Sequence, residues 1–144
     1  MQSEDTIKLL KECDAGTKTA TSSIKEVMDN VKSQSLRKLL EDSLDEHEKY
    51  GNKAHELLND SGDSGKEPNP MAKAMSWIKI NVKLLENNTD KTVADLISDG
   101  CAMGIKQVSG YINQYKNADK QAVSLANDIV KHEEKLMQDL RPFL

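Results

Sequence analysis

Five residues of this 144-residue chain combine the right side-chain types with inward-facing helical spacing to do chemistry: Asp14, His47, Asp99, His132 and Glu133. Each falls on or beside an apolar stripe, where an ionisable side chain is expensive to bury unless it is paired or bound to a cation. Carboxylates and imidazoles projecting from facing helices are the donor set with which helical bundles hold iron, manganese or zinc. The spacing stops short of that chemistry. Leu44 stands three residues before His47 and Ile129 three before His132, so neither histidine belongs to a Glu-x-x-His unit. Asp also reaches one methylene less far than Glu, and Asp14 and Asp99 come out ~10 Å apart along the bundle axis at 1.5 Å per residue.

A plainer reading accounts for the same residues and is the stronger one. His47 and Tyr50 then sit hydrogen-bonded at the edge of a stripe beside a solvated face of Glu41, Asp45, Glu46, Glu48 and Lys49. His132, Glu133 and Glu134 flank a core line of Leu125, Ile129, Leu136 and Leu140, and His55 lies off the main stripe altogether. Other catalytic patterns are missing: there is no Gly-x-Ser-x-Gly, no phosphate-binding Gly-rich loop with Lys, no Cys-x-x-Cys and no His-Glu-x-x-His. Cys13 and Cys101, 88 residues apart, read as buried free thiols of a reduced chain rather than as a disulfide scaffold.

The elements that must position these residues follow from periodicity. Ile7, Leu10, Ile24, Met28 and Val31 keep a 3–4 spacing through Asp14, Thr17 and Thr21, which predicts a helix over 3–31. Leu36, Leu40, Ser43, His47, Tyr50, Ala54 and Leu57 predict a second over 35–59, capped by Ser35. The segment 61–70 has the Gly, Pro, Ser and Asp content of a surface loop and leads, through Asn69 as cap and Pro70, into a shorter helix over 70–86. Val93, Ile97, Gly100, Gly104, Val108 and Tyr111 predict a helix over 90–116, and the line through Leu125 and Leu140 predicts the last over 119–140.

Four of these helices are matched in length, so they form the bundle and 70–86 belongs to the connection between the second and third. The expected fold is an all-α single domain over 1–144: a four-helix bundle with one long crossover containing an extra short helix, with a five-helix up-down array as the alternative. Gly16 with Ala20 and Gly100 with Gly104 are spaced to let two helices approach closely. The 70–86 helix carries more apolar residues than one core stripe needs, and Trp77, Ile80 and Leu84 mark it as a docking surface for a second copy or another protein.

Twenty Lys and Arg against twenty-four Asp and Glu, net −4, build no basic field for nucleic acid or anionic lipid. No apolar run approaches the ~20 residues that span a bilayer, and the N-terminus carries no secretory pattern, so a cytoplasmic location is expected. Five aromatic residues among 144 favour helix over sheet.

The segments Asn69-Pro70-Met71-Ala72-Lys73-Ala74-Met75-Ser76-Trp77-Ile78 and Gly100-Cys101-Ala102-Met103-Gly104-Ile105 carry a resemblance over most of the chain. With them the chain resembles a group of small bacterial proteins of ferritin-like type, seen mainly in anaerobic Gram-positive bacteria. The resemblance implies a ferritin-like fold and no particular activity. Ferritin-like proteins at large hold two irons on Glu and Glu-x-x-His positions, and this chain departs from that pattern at every paired position. The function expected is a non-catalytic binding or interaction module without cofactor; the alternative is a reduced carboxylate–histidine site for iron, manganese or zinc on Asp14, His47, Asp99, His132 and Glu133, serving storage, sensing or oxidation.

Overall fold

In the computed structural model, which describes residues 3–60, 84 and 87–144, four α-helices run side by side. They are α1 (Glu4–Met28), α2 (Gln34–Asn59), α3 (Asp90–Gln114) and α4 (Lys120–Leu140), and a 3-10 turn, Arg141–Phe143, follows. No strand occurs among the described residues. Each α-helix begins on a side chain that accepts from an otherwise orphaned backbone N–H: Ser3 from Thr6, Ser33 from Leu36, Thr89 from Thr92 and Asp119 from Ala122. Ser33, not the expected Ser35, caps α2, and the Ser35 hydroxyl turns back to Ser33 at 2.8 Å. The first helix closes at Met28 rather than 31, although Val31 still packs into the core.

Side-chain contacts at the two ends fix the directions. The backbone N–H groups of Lys32 and Ser33 donate to the Asp90 carboxylate at 2.8 and 2.9 Å, which ties the α1–α2 turn to the start of α3. At the other end Asn117 N–H donates to Asp5 at 3.0 Å and Asp119 N–H donates to the Thr6 hydroxyl at 2.8 Å, tying the α3–α4 turn to the start of α1. Hence α1 is antiparallel to α2 and to α3, whereas α2 and α3 run parallel and are joined across the bundle's full length. The expected crossover is therefore present. Its short helix, and with it the choice between four and five helices, falls on 61–83 and 85–86, outside the described residues.

The interior is divided. One apolar cluster joins Ile24, Val27, Leu36, Leu40, Val93, Ile97, Leu136 and Leu140 at the end where α3 starts. The other joins Leu9, Leu10, Ala54, Leu58, Val108, Ala122, Leu125 and Ile129 at the end where α1 starts. Between them lies a layer that includes the buried polar residues Asp14, Thr17, Ser43, His47 and Glu133.

The glycines correct one expectation. Gly16 and Gly100 are exposed, and a Cβ on either would meet no atom within 4 Å, so neither mediates close helix approach. The reason is helix phase: Ile97 and Cys101 hold the inward line of α3, leaving Gly100 off it. Close approach occurs instead at Gly51, where a Cβ would stand 3.0 Å from Thr17 Oγ1.

Candidate functional site

The polar layer holds two acid–imidazole pairs. In the first, His47 on α2 and Glu133 on α4 face one another, His47 Nε2 against Glu133 Oε1. Both are buried, at 1% and 7% exposure. His47 Nδ1 donates to the Ser43 carbonyl at 2.8 Å, because a carbonyl only accepts, and lies 3.3 Å from the Ser43 hydroxyl. That hydroxyl contacts His132 Nε2 at 2.8 Å, so Ser43 links the two histidines, whose rings meet edge to face at 4.9 Å.

The two imidazoles are driven in opposite directions. Burial by itself favours neutral His47, but the hydrogen bond and charge of Glu133, the Ser43 carbonyl and the charge of Glu46 outweigh it and raise its pKa above the ordinary value. His132 is lowered by burial and by the neighbouring positive charge of His47. A proton taken up by the pair therefore goes to His47 before His132, and an imidazolium there, with Nδ1–H on a carbonyl and Nε2–H on a carboxylate, has both donors satisfied.

Around this pair, Cys101 hydrogen-bonds to Glu133, and burial and the charge of Glu133 push its thiol pKa strongly up. Cys13 is pushed up to about 12, chiefly by burial and then by Glu12 and Asp14. Neither thiol has the lowered pKa that a nucleophile or metal thiolate needs. Tyr50 stacks edgewise on His132 at 5.9 Å, and burial and Glu46 push its phenol up to about 12. Its ring also lines a shallow depression between α2 and α4 with Lys53, Leu125 and Asp128. Gly104 gives α3 room beside the Glu133 side chain, whose Cγ would lie 3.9 Å from an added Cβ.

The second pair is Asp14 on α1 and His55 on α2. Asp14 is 1% exposed, with His55 Nε2 2.8 Å from Oδ1 and Lys18 Nζ 3.0 Å from Oδ2. The side chains of His55 and Lys18 are 44% and 30% exposed. Thr17 donates its hydroxyl to the Asp14 carbonyl at 2.9 Å.

Of the five site residues expected from sequence, the structure gathers His47, His132 and Glu133 in one network. Asp14 is buried as expected but is engaged by His55 and Lys18. Asp99 is exposed, because it lies two residues from both Ile97 and Cys101 on the inward line, roughly 200° round the helix. Among the described residues no group of three or more His, Cys, Asp or Glu side chains is arranged to hold a metal ion. His47 and Glu133 alone fall short of the three protein ligands of an open zinc site. Sequence reasoning did not join Cys101 to Glu133, nor His55 or Lys18 to Asp14; of these only Asp14 and Lys18, at i,i+4, carried a local signal that could have paired them.

The expected docking surface is only partly within view. Trp77 and Ile80 lie outside the described residues, while Leu84 is half-buried and packs against the apolar cluster next to α3 rather than facing outward. No described helix is long and apolar enough to cross a membrane. Comparison with protein-family models, with curated proteins and with solved structures found no match.

Proposed function

We propose that this chain is a non-catalytic, ferritin-like helical module that binds another helix, from a second copy or a protein partner, along the outer face of α3. The observation that carries the reading is the line Gly100, Met103, Gln107, Gly110 and Gln114, exposed at a 3–4–3–4 spacing. Met103, 61% exposed, is the most exposed large hydrophobic residue described, and the line holds no charge in a chain that is 31% charged. That spacing is the seam of helix–helix packing, and glycine at two of its five positions, Gly100 and Gly110, lets a partner backbone come close. The ferritin-like assignment is supported by the parallel α2–α3 crossover and by the polar layer at mid-bundle.

Light scattering on the purified chain and on Met103→Glu tests this reading. An assembled wild type that Met103→Glu dissociates supports a second copy as partner. A monomeric wild type directs the search to a pull-down in which Met103→Glu loses a partner that wild type retains. A strictly monomeric chain with no Met103-dependent partner removes the proposal.

A second reading has one observation in its favour. The Nδ1–H of His47 is fixed by the Ser43 carbonyl, as the non-ligating nitrogen of a metal-bound histidine is, and its Nε2 faces the Glu133 carboxylate, a second oxygen donor for a cation that displaced the shared proton. The donors present fit one cation incompletely. Metal analysis of untagged protein decides it: stoichiometric iron, manganese or zinc that His47→Ala loses supports the reading, and metal-free protein ends it.

A further inference from the structure

The outer face of α3 carries charge on one flank only. Asp99 and Lys106 are both exposed and seven residues apart, which sets them ~10 Å apart along the axis and about 20° apart round it, beside the line of Gly100, Met103, Gln107, Gly110 and Gln114. The other flank, Gly104 and Tyr111, has no charged residue. The two open glycines of the line do nothing for the bundle itself. A Cβ on Gly100 or Gly110 would meet no atom within 4 Å, although each costs about 1 kcal/mol against alanine in a helix interior.

An acid and a base two turns apart, with an exposed methionine between them, make this face complementary to itself under a dyad. With the axis crossing α3 at the level of Ile105, Gly100 stands opposite Gly110 of the second copy and Met103 opposite its Gln107. Asp99 then lies beside Lys106 of the second copy, and the dyad forms that ion pair twice. The parallel arrangement lacks this match. It would set the flank of Asp99 and Lys106 against Gly104 and Tyr111, where no opposite charge waits.

We propose that the occupant of this face is a second copy of the chain, with the two α3 helices antiparallel and two symmetry-related Asp99–Lys106 ion pairs between them. The inference rests on the α3 reading above and specifies its partner and direction. Met103 supplies apolar contact near the axis, and the flanking charges set orientation, as charges beside a helix seam do.

Sedimentation velocity and light scattering on the full chain read the association, with helicity checked for each variant. Wild type is expected to dimerise and Met103→Glu to dissociate. Asp99→Lys and Lys106→Asp each bring like charges together at both sites and are expected to weaken the dimer at least about tenfold. Mixed in equal amounts, these two variants are expected to associate with each other as tightly as wild type, because every like-charge contact becomes an attraction. A monomeric wild type overturns the proposal, while a protein partner lost by Met103→Glu would leave the broader α3 reading standing. A dimer that Met103→Glu dissociates but the charge variants do not weaken has the same consequence. Charge variants that dissociate and fail to recover on mixing also overturn the proposal, and a dimer indifferent to Met103→Glu ends both readings.

Discussion

The two acid–imidazole pairs of the polar layer use the same chemistry and differ in access to water. His47 and Glu133 are sealed between α2 and α4 with every partner internal, whereas Asp14 is sealed but its partners His55 and Lys18 stand partly in solvent. A sealed pair depends on mutual satisfaction, because removing one member strands a charge where water cannot reach it. In the half-wet pair solvent is an alternative partner for His55 and Lys18, and Lys18 stays beside the buried Asp14 carboxylate when His55 is removed, so the imidazole contributes less to stability.

The largest effect should come from breaking the sealed pair on one side. His47→Ala or Glu133→Ala is expected to cost about 3–5 kcal/mol in chemical denaturation. Replacing both partners with leucine in one chain should recover most of that loss, landing near wild type; a double variant as unstable as the singles would mean that geometry, not charge burial, sets the penalty. His55→Gln, on the half-wet side, should cost less than about 1 kcal/mol, and a loss approaching that of His47→Ala would erase the contrast.

The pH dependence separates the histidines further. His47 has a raised folded pKa, so its contribution is complete below the ordinary histidine value and is lost as pH rises through the folded one. His132 has a lowered folded pKa, so its neutral form favours folding above the ordinary value and that advantage is lost as pH falls through the folded one. Urea midpoints should lose the slope just below the ordinary histidine value in His132→Gln and the slope just above it in His47→Gln. The smallest effect lies outside both pairs: Gly16→Ala fills open space on an exposed helical position and should stabilise by about 0.5–1 kcal/mol, read as a modest rise in Tm.

Much of the architecture was legible because helix signals are local. Ser3, Thr89 and Asp119 cap where short polar residues precede apolar periodicity, and Asp14, Thr17, Ser43 and His47 were all assigned to inward lines that the structure keeps. Asp99 and Gly100 were misplaced for an equally local reason. Cys101 was not counted among the apolar residues of its helix, and shifting the inward line from Gly100 to Cys101 rotates the face by one residue, about 100°. The contact of Leu84 with the interior could not be read from a segment, 70–86, whose apolar residues exceed what a single stripe needs, since periodicity does not say which surplus side faces the bundle.

The sequence by itself determined four long amphipathic helices, their matched lengths, the polar interruption in the stripes of α1, α2 and α4 and a connection long enough to run the bundle, because each depends on residues within a few turns of one another. Only the tertiary structure decided which acid meets which imidazole. Glu133 took His47, Asp14 took His55, and Asp99 turned to the surface. Those pairings depend on the axial register and rotation of helices far apart in the chain, where a slip of one residue turns a side chain by about 100° and moves it 1.5 Å along the axis, enough to exchange one partner for another.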